Sequence, residues 1–105
     1  METTRNQRFD NRRIPIDGIR FEDCTFTRTK LIYRGEAPVE FSGCTFDSCT
    51  WVFEGAANET LQFLSTLGLG LGADGQNLVT AIFESVREGT FGERLTTIPA
   101  IADAA

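Results

Sequence analysis

Two consecutive segments of this chain read almost alike, and the duplication limits the possible folds more than any other feature. Residues 20–39 (RFEDCTFTRTKLIYRGEAPV) and 40–59 (EFSGCTFDSCTWVFEGAANE) share Phe-x-x-Cys-Thr-Phe and a later glycine at an offset of twenty residues. A repeat of this length is typical of stacked supersecondary units, each too small to bury its own apolar face. We therefore expect equivalent residues, such as Phe26 and Phe46, to lie on one another in successive layers.

A shorter period runs inside each unit. Phe41, Phe46 and Trp51 recur every five residues, and Cys44 and Cys49 stand two positions before the last two of them. Because side chains at i and i+2 of a strand share a face, each cysteine should point inward together with the aromatic residue that follows it. The aromatic series, including Trp51, is therefore predicted to form a core rather than a stacking platform for single-stranded nucleic acid.

This pattern resembles the pentapeptide-repeat form of the right-handed parallel β-helix, in which four five-residue sides make a coil of about twenty residues. The resemblance covers residues 19–54, and the segment 35–39 (GEAPV) breaks its rhythm with a proline. It implies stacked coils and, for some members of the class, an acidic surface that imitates DNA towards nucleic-acid enzymes. The chain also resembles small bacterial proteins in which a Phe-x-x-Cys-x-Phe segment runs into a helix with a Phe-Leu pair, here Phe63-Leu64.

After Gly55 the apolar period becomes helical. Asn58 is predicted to cap a helix through Leu67, residues 68–75 to end it, and Asp74 to cap a second helix that stops at Gly89. The predicted fold is α+β, a short parallel β-helix of two to three coils of about twenty residues followed by a C-terminal αα-hairpin. The alternative is an antiparallel sheet of β-hairpins covered by the two helices.

The domain boundaries follow from the same periods. We expect residues 1–13 to be a flexible, arginine-rich lead-in, and residues 92–105 to be a loose C-terminal tail. Residues 14–91 are predicted to form a single domain, with the β-repeat part over 14–56 and the helical hairpin over 57–89.

Charge is distributed unevenly along the chain. Residues 1–34 hold eight Lys/Arg and five Asp/Glu, whereas residues 35–105 hold two basic and ten acidic residues. An acidic body disfavours binding to the phosphate backbone, so we expect no nucleic-acid partner. The arginines of the first segment are either an anion-seeking arm or a solvated tail, and we favour the tail; they are Arg5, Arg8, Arg12 and Arg13.

The remaining residue types limit which catalytic and metal-binding sites the chain can form. The chain has no histidine, which excludes Ser/His/Asp and Cys/His catalysis. Three cysteines with an acid such as Asp23 or Asp47 could in principle hold zinc, but no Cys-x-x-Cys pair is present, and we expect Cys24, Cys44 and Cys49 to be buried packing residues. The glycine run from Gly68 lacks the lysine of a P-loop and is predicted to end a helix. We predict no catalytic residue, no cofactor and no metal site.

No apolar run is long enough to cross a bilayer, no signal-peptide core is present, and the cysteine count is odd, which favours a cytoplasmic protein without a membrane partner. The predicted function is a non-enzymatic protein-binding module, a small acidic regulator or inhibitor of a larger bacterial or phage protein that acts as a homodimer. The alternative is a cysteine-dependent metal-binding protein or an enzyme of unknown activity. The predicted dimer or partner interface comprises Leu78, Val79, Ile82, Phe83 and Val86 of the second helix, with Leu69 and Leu71.

Overall fold

The computed structural model describes residues 1–89, which form nine short strands followed by two helices. The strands are β1 (Glu2–Arg5), β2 (Arg8–Asp10), β3 (Arg13–Pro15), β4 (Ile19–Glu22), β5 (Thr25–Thr27), β6 (Lys30–Tyr33), β7 (Glu40–Ser42), β8 (Thr45–Asp47) and β9 (Thr50–Phe53). The helices are α1 (Gly55–Gly70) and α2 (Gly72–Glu88). The tail expected at 92–105 lies outside the described residues.

The strands pair into three parallel sheets, in the orders β1-β4-β7, β2-β5-β8 and β3-β6-β9. The chain visits the three sheets in turn, so each circuit is one coil of a β-helix-like stack, and we number the coils one (2–18), two (19–39) and three (40–54). The predicted α+β fold of stacked parallel coils followed by a two-helix hairpin is confirmed. The antiparallel alternative is wrong, because every strand pair is parallel.

The twenty-residue repeat sets the register between coils two and three. Phe26 pairs with Phe46, and Leu31 pairs with Trp51. The rings of Phe26 and Phe46 stack with their centroids 5.1 Å apart and an interplanar angle of 5°. Stacking of equivalent residues is thus confirmed at the level of single side chains.

The expected flexible lead-in is wrong, because most of residues 1–13 belongs to the first coil. Phe9 pairs with Phe26 and Ile14 with Leu31, an offset of seventeen residues instead of twenty. The difference of three residues arises where coil two returns to β7 through the longer segment 34–39. Coil one has the shorter return segment and therefore repeats at seventeen residues, so a twenty-residue period does not reveal it.

The coils turn at residues in the left-handed backbone region, and these residues repeat at the same two offsets. Such a conformation is easiest for glycine, asparagine and aspartate, which explains most of the residue choices. Arg28 and Ser48 are the exceptions, and the guanidinium of Arg28 donates two short hydrogen bonds, of 2.7 and 2.8 Å, to the carboxylate of Asp10 in the coil before. The three corner series are Asn6, Asp23, Gly43; Asn11, Arg28, Ser48; and Gly18, Gly35, Gly55.

Asp17 organises the longer return segment of coil two. Its two carboxylate oxygens accept hydrogen bonds from the backbone N–H groups of Arg34, at 2.7 Å, and Glu36, at 2.8 Å. Burial would by itself raise the pKa of Asp17, but hydrogen bonds from backbone N–H groups outweigh it and hold the pKa below its ordinary value. This carboxylate therefore stabilises a segment that no strand pairing supports.

The core lies in coil two, between the outer coils. Phe21, Phe26 and Leu31 of coil two are at most 1% exposed, and the buried cluster is completed by Cys24 of the same coil and by Ile16 from the end of coil one. The only buried polar residue among those described is Thr29, whose hydroxyl lies 2.9 Å from the carbonyl oxygen of Thr27 and 3.3 Å from that of Phe9. No buried side-chain N or O atom of the described residues is left without a hydrogen-bond partner.

Where we predicted one domain over 14–91, the chain divides into two compact units, the first comprising Met1–Thr60 and the second beginning at Leu61. The start of α1 belongs to the first unit, where the N–H of Ala57 donates to the carbonyl oxygen of Arg34. A Cβ atom at Gly35 would lie 2.9 Å from the nitrogen of Ala57, so glycine allows this close contact.

The helix boundaries differ from those predicted. Helix α1 begins at Gly55, three residues before the expected cap at Asn58. It includes Gly68 and ends at Gly70, so that Leu71 alone separates it from α2. Asp74 lies in the first turn of α2 and does not cap it. The predicted end at Gly89 is confirmed, since Gly89 adopts the left-handed conformation and its N–H donates to the carbonyl oxygens of Ser85 and Val86.

Candidate interaction surfaces

The three cysteines lie along the coils as reduced thiols that contact backbone carbonyl groups. The sulfur of Cys24 lies 3.4 Å from the carbonyl oxygen of Glu22, and that of Cys49 lies 3.3 Å from the carbonyl oxygen of Phe26. Cys24 is buried as predicted, whereas Cys44 and Cys49 are half-buried. The two less buried thiols belong to coil three.

Acidic and thiol side chains do not gather around a common point in the described part of the chain. Over residues 1–89, no group of three or more cysteines and carboxylates has a geometry that would hold a metal ion. The acids considered with the cysteines in the sequence, Asp23 and Asp47, occupy a corner of coil two and the end of β8.

The last coil leaves the inward faces of its aromatic residues open. Phe41 is 38% exposed, Phe46 37% and Trp51 45%, although each occupies a position that points into the stack. With Phe53, these residues form what we call the coil-end surface. The expectation that Trp51 is buried is therefore wrong, because coil three is the last coil among residues 1–89 and no further coil of that part of the chain covers it.

The rings of the coil-end surface pack against one another. Phe41 meets Phe46 edge-to-face at 5.3 Å between centroids, and Trp51 lies 5.2 Å from Phe46. Phe41 and Trp51 also help to line a cleft of about 300 Å³. Its other lining residues are Ile16, Tyr33, Val39 and Phe53.

Coil three is acidic, with Glu40, Asp47 and Glu54 and no lysine or arginine. Arginines of the earlier coils pair with two of these acids, Arg20 with Glu40 and both Arg13 and Arg34 with Glu54. Asp47 makes no salt bridge to any residue described in the structure. Two arginines of the N-terminal segment that was expected to be a solvated tail, Arg5 and Arg13, lie in strands and form ion pairs. The pair between Arg5 and Glu22 has a distance of 2.6 Å.

The helices of the second unit enclose a shallow apolar groove. It has a volume of about 310 Å³. We call it the hairpin groove, and its lining residues are Leu61, Leu64, Ser65, Gly68 and Leu69 of α1 and Gln76, Val79 and Phe83 of α2. The two helices come close together at Gly75, where a Cβ atom would lie 1.9 Å from the carbonyl oxygen of Leu67.

The groove brings together only part of the predicted interface. Leu69, Val79 and Phe83 line it, but Leu71, Leu78, Ile82 and Val86 do not. Phe83 is 50% exposed and Leu69 83%, so both are available for contact. Leu61 and Leu64 were not predicted, since the interface was expected on the second helix and at Leu69 and Leu71 of the glycine run.

No helix among residues 1–89 is both long enough and apolar enough to span a membrane. Comparison with models of protein families, with curated proteins and with solved structures finds no match to this chain.

Proposed function

We propose that this protein is a non-enzymatic protein-binding module that acts as a homodimer, and that it regulates or inhibits a larger bacterial or phage protein. The observation that carries the proposal is the amount of apolar surface left open on the second unit. Six large apolar side chains between Leu61 and Val86 are 41% or more exposed, whereas α1 and α2 bury only Ala57 and Gly75. Exposed apolar surface on this scale is typical of an association site.

A second copy is the occupant proposed for the hairpin groove. Two short antiparallel helices cannot bury both of their apolar faces against each other, and two such hairpins related by a two-fold axis make a four-helix bundle. The charged residues of α2 at Glu84 and Glu88 lie away from the stripe formed by Val79, Phe83 and Val86 by helical spacing. The stripe can therefore pair with itself without bringing like charges together.

We also propose that the coils are of the pentapeptide-repeat type. Support comes from the five-residue spacing of Phe41, Phe46 and Trp51, and from the small residues Cys44 and Cys49 that stand two positions earlier. The first coil departs from that type, because its offset to the next coil is seventeen residues.

Measurement of mass by light scattering tests the homodimer. At micromolar concentration the protein should give about twice the chain mass of 11.6 kDa. Phe83→Glu places a charge in the hairpin groove and should reduce the mass to that of one chain. The matched control is Asn77→Glu, which adds the same charge to an exposed position outside the groove and should leave the mass unchanged. A monomer for the unmodified protein would contradict the proposal.

A further inference from the structure

We infer that the coil-end surface binds an extended segment of a partner protein in which apolar side chains alternate with arginine or lysine. The inference rests on the proposed function as a protein-binding module and assigns it a second surface, made of other residues than those of the hairpin groove. Backbone pairing, aromatic packing and charge each contribute to the choice of partner.

The backbone of coil three is ready to extend the sheets. β7, β8 and β9 are the last strands of their sheets, and in the described residues each has a partner on one side only. An edge strand presents unpaired N–H and C=O groups to which an extended peptide can add as a further strand. β7 and β8 follow one another over residues 40–47 and carry Phe41 and Phe46, whose rings both contact Trp51, so one extended segment can pair with the two strands in turn.

The aromatic rings specify apolar side chains at alternate positions of that segment. Phe9, Phe26 and Phe46 are stacked in successive coils, and the centroids of neighbouring rings lie 5.0 Å (Phe9 to Phe26) and 5.1 Å (Phe26 to Phe46) apart. An added strand would place its inward side chains at about the same spacing over the coil-end surface, because strands in a sheet lie about 4.8 Å apart. The cleft of about 300 Å³ beside Trp51 offers room for one of them.

The outward side chains of an added strand would meet an acidic rim. Coil three contributes Glu40, Asp47 and Glu54 with no positive charge, and the arginines that pair with two of them belong to the coils behind. Alternate positions of a strand face opposite sides, so a segment with arginine or lysine between its apolar residues meets both the rings and the rim.

Charge also argues against a second copy at this surface. A copy stacked head-to-tail in the same register would set Asp47 opposite Asp10, since both stand in line with Thr27. A two-fold arrangement would set the acidic coil three against itself. Like charges directly opposite on neighbouring strands are destabilising.

Trp51 is the single tryptophan of the chain, so its fluorescence reports on the coil end alone. The probe is a ten-residue peptide of alternating arginine and valine, titrated into the full-length protein. We expect a saturable blue shift of the emission and a decrease in acrylamide quenching. A peptide of alternating glutamate and valine should produce neither change.

Asp47→Asn with Glu40→Gln should weaken binding by about threefold to tenfold, as expected for the loss of two exposed charge pairs. The matched control removes two acids from α2, with Glu84→Gln and Glu88→Gln, and should change the affinity less than twofold. Asp47→Asn alone breaks no salt bridge of the described residues and keeps the test valid if the double variant is unstable.

Three results would each overturn the inference: no response to the arginine–valine peptide at millimolar concentration, an equal response to the glutamate–valine peptide, or a Trp51 already shielded from acrylamide in the free protein. The last would mean that the chain covers its own coil end. The mass of the same samples separates this inference from the homodimer. Peptide binding by a monomer would contradict the homodimer only, and a dimer without peptide binding would contradict only the coil-end site.

Discussion

At the scale of single residues, position along the stack decides how much a side chain contributes to stability. Phe26 and Phe46 are the same residue type in the same ladder, yet Phe26 is fully buried in coil two and Phe46 is 37% exposed in coil three. Their sequence contexts are nearly identical, so the difference comes from the presence of a covering coil.

Phe26→Ala should lower the free energy of unfolding by about 3–5 kcal/mol, the range typical of fully buried phenylalanines. Phe46→Ala should lower it by less, about 1–2 kcal/mol, because part of the ring already contacts water. Urea denaturation of both variants provides the comparison. Equal losses would mean that Phe46 is covered as completely as Phe26.

Asp17 gives stability a specific dependence on pH. Because its pKa is lower in the folded chain than its ordinary value of 3.8, its contribution is present above that value and is lost as the pH falls through the folded pKa. Asp17→Asn should therefore lower the melting temperature at pH 7 and make little difference in strong acid. The control, Asp23→Asn, removes the same charge from a side chain that accepts no hydrogen bond in the described structure. A melting difference for Asp17→Asn that does not change with pH would contradict this role.

At the scale of elements, the corner residues and glycines fix where strands turn and helices meet. Gly75 is buried at a close contact between α1 and α2, where a Cβ atom would lie 1.9 Å from the carbonyl oxygen of Leu67. A glycine inside a helix otherwise reduces stability relative to alanine by about 1 kcal/mol. Its position therefore reflects packing between the helices.

Gly75→Ala should consequently destabilise the hairpin, although alanine favours helix. Gly70→Ala is the matched control, since a Cβ atom there meets nothing within 4 Å, and it should be neutral or stabilising. Circular dichroism during thermal denaturation measures both effects. A Gly75→Ala variant as helical and as stable as the Gly70→Ala variant would show that the helices do not approach at this point.

Several elements could be predicted from the sequence because they depend on local pattern. The register of coils two and three follows from the offset of Phe26 and Phe46, and the end of α2 follows from Gly89. The first coil was not predicted, since its offset is set by the length of a return segment rather than by its strand residues. A search at an offset of seventeen would have matched Phe9 to Phe26 and Gly18 to Gly35.

The candidate site was predicted less well than the fold. The inward phase of Phe41, Phe46 and Trp51 was inferred from their spacing, but their exposure depends on which coil is the last. The hairpin groove depends on the angle between α1 and α2, which a helical period does not specify. Leu61 and Leu64 were therefore missed, while Val79 and Phe83 were found.

At the scale of the whole molecule, the two open apolar surfaces differ in their proposed occupants. We propose a second copy as the occupant of the hairpin groove and a partner segment as the occupant of the coil-end surface. Coil two, with Phe21, Phe26 and Leu31 at most 1% exposed, supplies the stable core of the first unit.

Hydrogen–deuterium exchange of the full-length protein at two concentrations, one above and one below the dissociation range of the dimer, tests this assignment most directly. We expect the amides of α2 from Gly75 to Val86 to be protected at the higher concentration and to exchange faster on dilution, with those of β5 protected at both. The amides of β7, β8 and β9 should exchange at rates that dilution does not change. Protection of α2 that is independent of concentration, or protection of β9 that is lost on dilution, would contradict the account.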